Sequence, residues 1–208
     1  MIDSTVLLTF FMTSVILALS PGPDNLFVMA QSAQNGRSAG ISVTLGLASG
    51  LMVHTLAVAV GLAAVVHSSA VAFSILKYIG AAYLLYLAWQ AFRASTVTGQ
   101  QEQVPVLSRV NLYRRGIIMN LTNPKVSLFF MAFLPQFANP RYGSMTAQFV
   151  QLGAVFIMAT LLVFILISFL AGGFGDKFRN SSLAQKTVNR IASLLFIGLA
   201  FKLALSER

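Results

Sequence analysis

The feature that most constrains this chain is a short polar interruption, Leu19–Phe27, inside a stretch that is otherwise nearly all apolar. Its centre reads Ser20-Pro21-Gly22-Pro23-Asp24-Asn25. No charged residue occurs from Ser4 to Pro23, and apolar sequence resumes after the interruption. Backbone that is broken at membrane depth is tolerated only where it is buried in protein or lines a cavity. The interruption therefore favours a solute site over a plain membrane anchor.

The composition excludes an ordinary soluble domain. Of the 208 residues 57% are hydrophobic and 9% are charged, whereas soluble domains are about 25% charged. The absence of cysteine excludes disulfides and thiolate metal sites. The net charge of +9 resides in short loops between apolar spans, so it does not indicate nucleic-acid binding. Ala18 and Ser20 resemble a signal-peptide cleavage site, but the N-terminus lacks a positive region, and we expect a membrane span there.

We predict an all-α membrane protein with six transmembrane helices arranged as two inverted three-helix repeats, in which helices 1 and 4 are interrupted. The predicted spans are about 4–34, 40–66, 72–92, 115–137, 146–171 and 188–205. They form one polytopic domain, 1–208, with halves of about 1–93 and 114–208 joined by a polar cytoplasmic linker, 94–113. Predicted turns are 35–38, 67–69 and a helix C-cap at 172–176. The sixth span is the weakest, and without it the C-terminus changes sides.

A weak internal repeat supports the two halves. Leu19–Ala30 aligns with Leu121–Ala132 at an offset of 102 residues, with five of twelve positions identical. Both copies contain a proline at the break and one ionisable residue. Chance is a competing explanation, because leucine and phenylalanine are common in apolar sequence. Interrupted segments at corresponding positions of inverted halves are nonetheless a sequence signature of a transporter's binding site.

The loop charges predict the orientation. With six spans, three loops share one face and carry nine of the fourteen basic residues: Arg37, Arg93, Arg109, Arg114, Arg115, Lys177, Arg179, Lys186 and Arg190. The opposite face carries Arg141 and Arg208, with Lys202 near it. The positive-inside rule places the basic face in the cytoplasm, so we predict that both termini lie outside.

The prolines predict free backbone groups at the two breaks. Because proline has no amide hydrogen, Pro21 and Pro23 release the carbonyls of Leu17 and Leu19, and Pro124 releases that of Asn120. Free carbonyls suit an ammonium group or a proton donor. The half-helix that begins near Asp24 presents unpaired amides that suit a carboxylate. Together they favour a zwitterionic solute, and the alternative is a packing kink.

Asp24 and Lys125 are the two charges near the middle of predicted spans. A charge at the bilayer centre costs about 2.5–3.5 kcal/mol, so the two groups require a partner, a proton or a wet cavity. Our hypothesis is that Asp24 attends the substrate amine or a coupling proton, and that Lys125 attends the carboxylate. The alternative is a buried ion pair that only fixes helix register.

Two further features of the second predicted span bear on its role. His54 lies mid-span and is either a proton shuttle or an interhelical hydrogen bonder. Gly46 and Gly50 have the spacing that permits close helix packing.

No phosphate-binding loop, nucleophile elbow or zinc-protease helix occurs in the sequence. We therefore predict no enzyme activity, no catalytic residues, no metal and no cofactor.

Four spaced motifs resemble the LysE/RhtB family of bacterial amino-acid exporters. They are Ser20–Asn25, Lys77–Leu87, Asn120–Lys125 and Phe133–Phe137, in the family's order over essentially the whole chain. The resemblance implies an inner-membrane exporter of amino acids or their derivatives, driven by the proton gradient. On that pattern Pro21, Gly22, Pro23, Asn123, Pro124 and Lys125 occupy motif positions.

The sequence thus predicts a secondary transporter that exports amino acids across the bacterial inner membrane by alternating access. Its partners are a small amino-acid substrate and the lipid bilayer, with no nucleic acid; the oligomeric state is open, a homodimer being one option. The predicted substrate- or proton-binding residues are Pro21, Gly22, Pro23, Asp24, Asn25, His54, Asn120, Asn123, Pro124 and Lys125. The alternatives are an ion or metal transporter on a related scaffold and a non-transporting scaffold subunit.

Overall fold

A computed structural model describes residues 2–20, 22–62, 70–94 and 106–205, and all regular structure in those ranges is helical. We number the helices α1 (Ser4–Leu19), α2 (Pro23–Asn35), α3 (Arg37–Ala57), α4 (Ala70–Arg93), α5 (Arg109–Thr122), α6 (Pro124–Leu128), α7 (Met145–Asn180) and α8 (Ser182–Leu205). A π-helical turn, Val58–Leu62, extends α3. A π turn, Phe129–Phe133, and a 3-10 turn, Leu134–Phe137, extend α6, and a further 3-10 turn spans Pro140–Tyr142.

The structure breaks two apolar segments at the predicted places. The segments Ser4–Leu19 and Pro23–Asn35 meet at an angle of 64°, and Arg109–Thr122 meets Pro124–Phe137 at 51°. Each second piece begins with a proline, which a first helical turn accepts because its amide needs no partner there. Proline inside a continuing helix would instead remove a hydrogen bond and clash with the preceding turn.

The described helices include several that are long and apolar enough to cross a membrane. Three pass this test alone, over Arg37–Gly61, Met145–Ala171 and Gln185–Leu205, and there are up to five spans if each bent pair is one. The predicted sixth span, about 188–205, lies within the Gln185–Leu205 segment, which has the length that a crossing needs. The arrangement as six spans in two inverted halves stays a prediction.

Two details of the predicted boundaries were wrong. The glycine-rich segment 172–176 does not cap the fifth predicted span, because α7 continues through it to Asn180. Glycine disfavours a helix interior by about 1 kcal/mol but does not terminate it. The end of the predicted linker, from Arg109, is instead the first turn of α5, where the Ser108 side chain caps the helix by accepting from the Asn111 amide. The predicted turn at 67–69 lies outside the described residues.

The predicted turn between the first two spans is present. Gly36 separates α2 from α3 and has a φ of +83°, in the left-handed region that favours glycine. The sharp turn returns the chain, so that α2 packs against α3.

Small residues allow two helices to cross closely at the centre of the fold. A Cβ at Gly46 would overlap the Tyr113 carbonyl, and one at Gly116 would overlap the Val43 carbonyl. Farther along the same face, Gly50 lies under the Asn120 side chain. The glycine spacing on α3 therefore does provide close packing, against α5. Other packed pairs are α4 with α8, α3 with α7, and α1 with α7.

The buried apolar residues form two separate clusters. The larger contains a group of stacked and edge-on rings: Phe10, Phe129, Phe130, Phe133, Phe137 and Phe156. The smaller joins α2, α3, α5 and α7 around Val28, Leu47 and Phe164. Large apolar side chains also cover the outer surface, as a lipid-facing protein requires; examples are Met12, Leu56, Ile79, Leu162 and Phe201.

Candidate functional site

Side chains from both breaks cap the carbonyls that end α1. The Asn25 amide donates to the Ala18 carbonyl at 2.6 Å. The Lys125 ammonium donates to the carbonyl of Ser20 at 3.1 Å and to that of Leu17 at 3.4 Å. The Leu17 carbonyl also accepts from the Ser20 backbone amide at 3.3 Å, so it is not left free by the prolines. The ammonium that contacts it belongs to the chain itself, and binding of a solute ammonium by freed carbonyls stays a prediction. The first break is therefore stabilised by a cation from the second.

Lys125 is held by its own half-helix and by a gap at Gly22. The lysine lies in the first turn of α6 and is 8% exposed. A Cβ added at Gly22 would lie 3.1 Å from Lys125 Nζ, so any larger residue there would press on the ammonium. The backbone of Gly22 is extended, with a φ of −176°, so the need for glycine is one of space. Two of the three ammonium protons have carbonyl partners, which leaves one donor for a solute.

Asn123 joins the second break to the first. Its side-chain oxygen accepts from the Lys125 backbone amide at 3.0 Å and so caps α6. Its side-chain nitrogen donates to Asp24 Oδ2 at 2.8 Å. Asp24 is 3% exposed, and no ion pair joins its carboxyl directly to the Lys125 ammonium. The Asn123 side chain therefore links Asp24 of the first break to the backbone of the second break.

A small cavity lies between the breaks and α7. Its lining includes the predicted residues Asp24, Asn120 and Lys125, together with Thr160. The other lining residues are apolar: Leu17, Ala18, Leu51, Val126, Phe156 and Phe164. Phe156 belongs to the larger apolar cluster and Phe164 to the smaller, so the cavity lies between the two. An acid and a base thus share one small cavity whose other lining is mostly apolar.

Three oxygen atoms on this cavity have no hydrogen-bond partner among the described residues. They are Asp24 Oδ1, Asn120 Oδ1 and Thr160 Oγ1. Buried polar atoms are normally paired, so these three unpaired atoms depart from the usual pattern. All three are acceptors, although the threonine hydroxyl can also donate.

His54 lies beside this site rather than in it. Its Nε2 atom is 3.4 Å from the Asn120 carbonyl, which also accepts from the Asn123 backbone amide at 3.1 Å, and its ring is 5.6 Å from that of Phe130. His54 is half-buried and is not part of the cavity lining. This position fits the interhelical hydrogen bonder better than the proton shuttle.

The remaining predicted residues build the breaks. Pro23 and Pro124 start the two half-helices, and Gly22 and Asn25 form the first break. Pro21 lies outside the described residues. Among those described, no group of three or more His, Cys, Asp or Glu side chains has the arrangement of a metal site.

The sequence reasoning missed Thr160. Its signal was present: Thr160 is the lone polar residue between Gln151 and Ser168 of α7. An isolated polar residue in a membrane span usually faces the protein interior or a cavity. The apolar lining residues were not predictable, because the sequence contains many equivalent side chains.

Comparison with known proteins identifies the family of this chain. A family model described as LysE type translocator matches residues 15–207. A homoserine/homoserine lactone efflux protein of Salmonella typhimurium is 37% identical over 154 residues, 74% of each chain. Uncharacterized membrane proteins of Vibrio cholerae and Pseudomonas aeruginosa are 30% identical over 205 residues and 33% identical over 204 residues. The Vibrio match covers 99% of both chains. The Pseudomonas match covers 94% of this chain and 93% of the relative. No solved structure matches.

The family match begins inside α1 and includes both helix breaks, the cavity and α7. The resemblance seen in the four motifs is therefore confirmed over most of the chain. A translocator moves a solute across a membrane, so the protein is a membrane transporter and not an enzyme. The chain belongs to the LysE type translocator family.

Proposed function

We propose that this protein is a secondary transporter that exports zwitterionic amino acids across the bacterial inner membrane in exchange for protons. The observation that carries the proposal is the meeting of the two helix breaks, which brings Asp24 and Lys125 to one cavity. The efflux named for the relatives at 37% identity supports an amino acid such as homoserine as the substrate and export as the direction.

Lys125 receives the substrate carboxylate. Its ammonium is bonded to the carbonyls of Leu17 and Ser20 and retains a third proton. A carboxylate forms a stronger, charge-assisted hydrogen bond than a carbonyl does, so it competes for the ammonium. Loss of the carbonyl contacts would loosen the end of α1, which connects binding to movement of the break.

Asp24 receives the substrate amine and, after the amine leaves, the coupling proton. Asp24 is the only acidic residue between Ser4 and Gln101 of the sequence. A carboxylate at membrane depth requires a positive partner or a proton. When the substrate leaves outside, a proton from the periplasm neutralises Asp24 and returns with it. One site shared by proton and substrate gives obligatory exchange.

Alternating access uses the two apolar clusters as seals. The cavity lies between them, with Phe156 on one side and Phe164 on the other. Opening one cluster while the other stays packed would connect the cavity to one side of the membrane at a time. This scheme matches the general behaviour of transporters built from two halves around a central site.

Six spans in two inverted halves are the topology we propose. Helix α4, the third predicted span, has 24 residues and is about 36 Å long. It is therefore long enough to cross the membrane, and with the five candidate spans it makes six. The packing supports a two-fold relation: α4 contacts α8, α3 contacts α7, and the α3–α5 contact corresponds to α1–α7. With the basic loops in the cytoplasm, both termini are periplasmic.

Transport by the purified protein tests the proposal. The full chain is reconstituted in vesicles loaded with unlabelled L-homoserine, and entry of labelled L-homoserine is measured, with and without an imposed pH gradient. We expect exchange that depends on the protein and accumulation that depends on the gradient. Absence of exchange for every neutral and basic amino acid would contradict the proposal. Entry of a divalent metal, followed with a fluorescent indicator, would favour the metal-transporter alternative.

A further inference from the structure

Three buried oxygen atoms without a partner belong to residues that line the cavity, and the proposed roles of Asp24 and Lys125 leave two of these atoms unexplained. The described residues contain six buried side-chain atoms without a partner, and three of the six lie on residues of this cavity. One belongs to Asp24. The others, Asn120 Oδ1 and Thr160 Oγ1, come from α5 and α7.

The Thr160 hydroxyl departs from the pattern of this protein. Serine and threonine hydroxyls in membrane helices normally donate to the carbonyl one turn earlier. Ser168 on the same helix donates to Phe164 at 2.8 Å, and Thr44 on α3 donates to Gly40 at 2.9 Å. The Thr160 hydroxyl makes no such bond although the residue is only 4% exposed. It is therefore available to a ligand in the cavity.

The Asn120 side chain depends on Gly50 for its place. Asn120 is 2% exposed, and a Cβ at Gly50 would lie 2.6 Å from Asn120 Oδ1. The absent side chain at Gly50 lets the amide of Asn120 lie against α3 at the level of the cavity. The Asn120 backbone carbonyl accepts from the Asn123 backbone amide and lies within 3.4 Å of His54 Nε2, whereas the Asn120 side-chain oxygen has no partner.

We propose that Asp24 Oδ1, Asn120 Oδ1 and Thr160 Oγ1 together bind the α-ammonium group of the transported amino acid. The inference rests on the proposed function and names the atoms of its amine subsite. An ammonium group has three N–H donors and no acceptor, which matches three acceptors from three different helices. Lys125 is left for the carboxylate.

The same residues limit the substrate to amino acids with an uncharged side chain. The lining has one acid and one base, so a zwitterion balances both. The rest of the lining is apolar apart from the two polar groups already assigned to the amine. The second ammonium of lysine would find no acid there, and an unpaired buried charge is strongly unfavourable.

Substitution of Thr160 tests the subsite in full-length protein reconstituted in vesicles. Thr160→Val keeps the shape and removes the hydroxyl, and we expect the KM for L-homoserine exchange to rise about tenfold. Thr160→Ser restores a hydroxyl, and its KM should stay within about twofold of the wild type. The matched control is Thr44→Val, a buried threonine whose hydroxyl is bonded within its own helix.

An analogue without the amine shows whether the Thr160 hydroxyl contacts the substrate amine or only maintains the shape of the site. Inhibition of exchange by 4-hydroxybutanoate, which keeps the carboxylate, should be equal in wild type and Thr160→Val. Gly50→Ala, which displaces the Asn120 side chain, should likewise raise the KM for L-homoserine. Inhibition of exchange by 4-hydroxybutanoate should stay the same in this variant. L-lysine should compete poorly with the wild type.

Two results would overturn the inference while leaving amino-acid transport intact. One is wild-type KM for L-homoserine in Thr160→Val; the other is L-lysine competing as well as L-homoserine. An equal loss of L-homoserine and 4-hydroxybutanoate binding in Thr160→Val would assign the hydroxyl a structural role and also overturn it. Lack of any exchange by the wild type would instead contradict the proposed function.

Discussion

The two helix breaks have similar sequences but opposite chemistry. The first break presents acceptors, namely the end carbonyls of α1 and the Asp24 carboxylate. The second presents donors, the Lys125 ammonium and the Asn123 amide. Each break therefore satisfies the groups that the other exposes. A broken helix in a membrane needs such partners, because water is not present to supply them.

The difference also explains why the proposed solute requires both breaks. The first break by itself has an acid and free carbonyls, which favour a cation. The second by itself has a cation, which favours an anion. Only their meeting gives a cavity with both signs of charge, which a zwitterion matches. Substitutions that remove the donors or the acceptors should therefore have unequal effects, in the following order.

Loss of the Lys125 charge should have the largest effect. Lys125→Met keeps an unbranched side chain but leaves the Leu17 and Ser20 carbonyls without their donor and the substrate carboxylate without its partner. Hydrogen bonds to charged groups contribute about 1.5–3 kcal/mol each, so we expect exchange of L-homoserine to fall by about a hundredfold or more. The measurement is the initial rate of exchange per reconstituted protein.

The control for this substitution is Lys186→Met, which removes an exposed lysine on α8. Its exchange rate should match the wild type. A Lys125→Met protein that transports at a rate within twofold of the wild type would remove Lys125 from the site.

Asn123 has two roles that can be separated. Asn123→Ala removes both the α6 cap and the hydrogen bond to Asp24, and it should lower transport about tenfold and the Tm by about 2–4 °C. Asn123→Ser retains a good capping residue but is too short for the full contact with Asp24. We expect the serine variant to recover the Tm, measured in detergent, without recovering transport.

Recovery of both properties by the serine variant would show that Asn123 serves only as a cap. The connection between the two breaks would then depend on Lys125 alone.

A methyl group at Gly22 should have a moderate effect. Gly22→Ala places a Cβ 3.1 Å from Lys125 Nζ, which forces the ammonium to move by a few tenths of an ångström. We expect the KM for L-homoserine to rise about three- to fivefold, because small displacements of a binding group weaken its contacts. Gly198→Ala on α8 is the matched control, since a Cβ there meets no atom within 4 Å. Equal KM values for the two variants would contradict the proposed contact.

Loss of the His54 hydrogen bond should have the smallest effect. His54→Leu removes one long contact to the Asn120 carbonyl, which contributes about 1 kcal/mol or less. Transport should fall less than about threefold and keep its dependence on pH. Loss of gradient-driven accumulation with unchanged exchange would instead identify His54 as a proton carrier.

The sequence predicted most of the backbone of this site and less of its chemistry. Prolines at 23 and 124 identify both breaks, because their consequences are local and steric. The charges at Asp24 and Lys125 stand out in apolar sequence for a similar reason. The role of Asn123 between them depends on the three-dimensional approach of the two breaks, which no local pattern contains. Thr160 was detectable only as an isolated polar residue.

At the end of α7 a local sequence pattern led to a wrong prediction. Three glycines in 172–176 resemble a helix stop, yet the helix continues through them. Glycine permits several conformations, and tertiary packing decides among them. Proline is a more dependable signal than glycine because it excludes conformations rather than allowing them.

Competition by analogues tests most directly the claim that the breaks meet to hold a dipolar solute. Exchange of labelled L-homoserine by the wild-type protein is measured against L-homoserine, 3-aminopropan-1-ol, which lacks the carboxylate, and 4-hydroxybutanoate, which lacks the amine. We expect L-homoserine to inhibit at concentrations at least about tenfold lower than either analogue, since each analogue leaves one buried charge unpaired. Inhibition by either analogue as strong as that by L-homoserine would contradict the account.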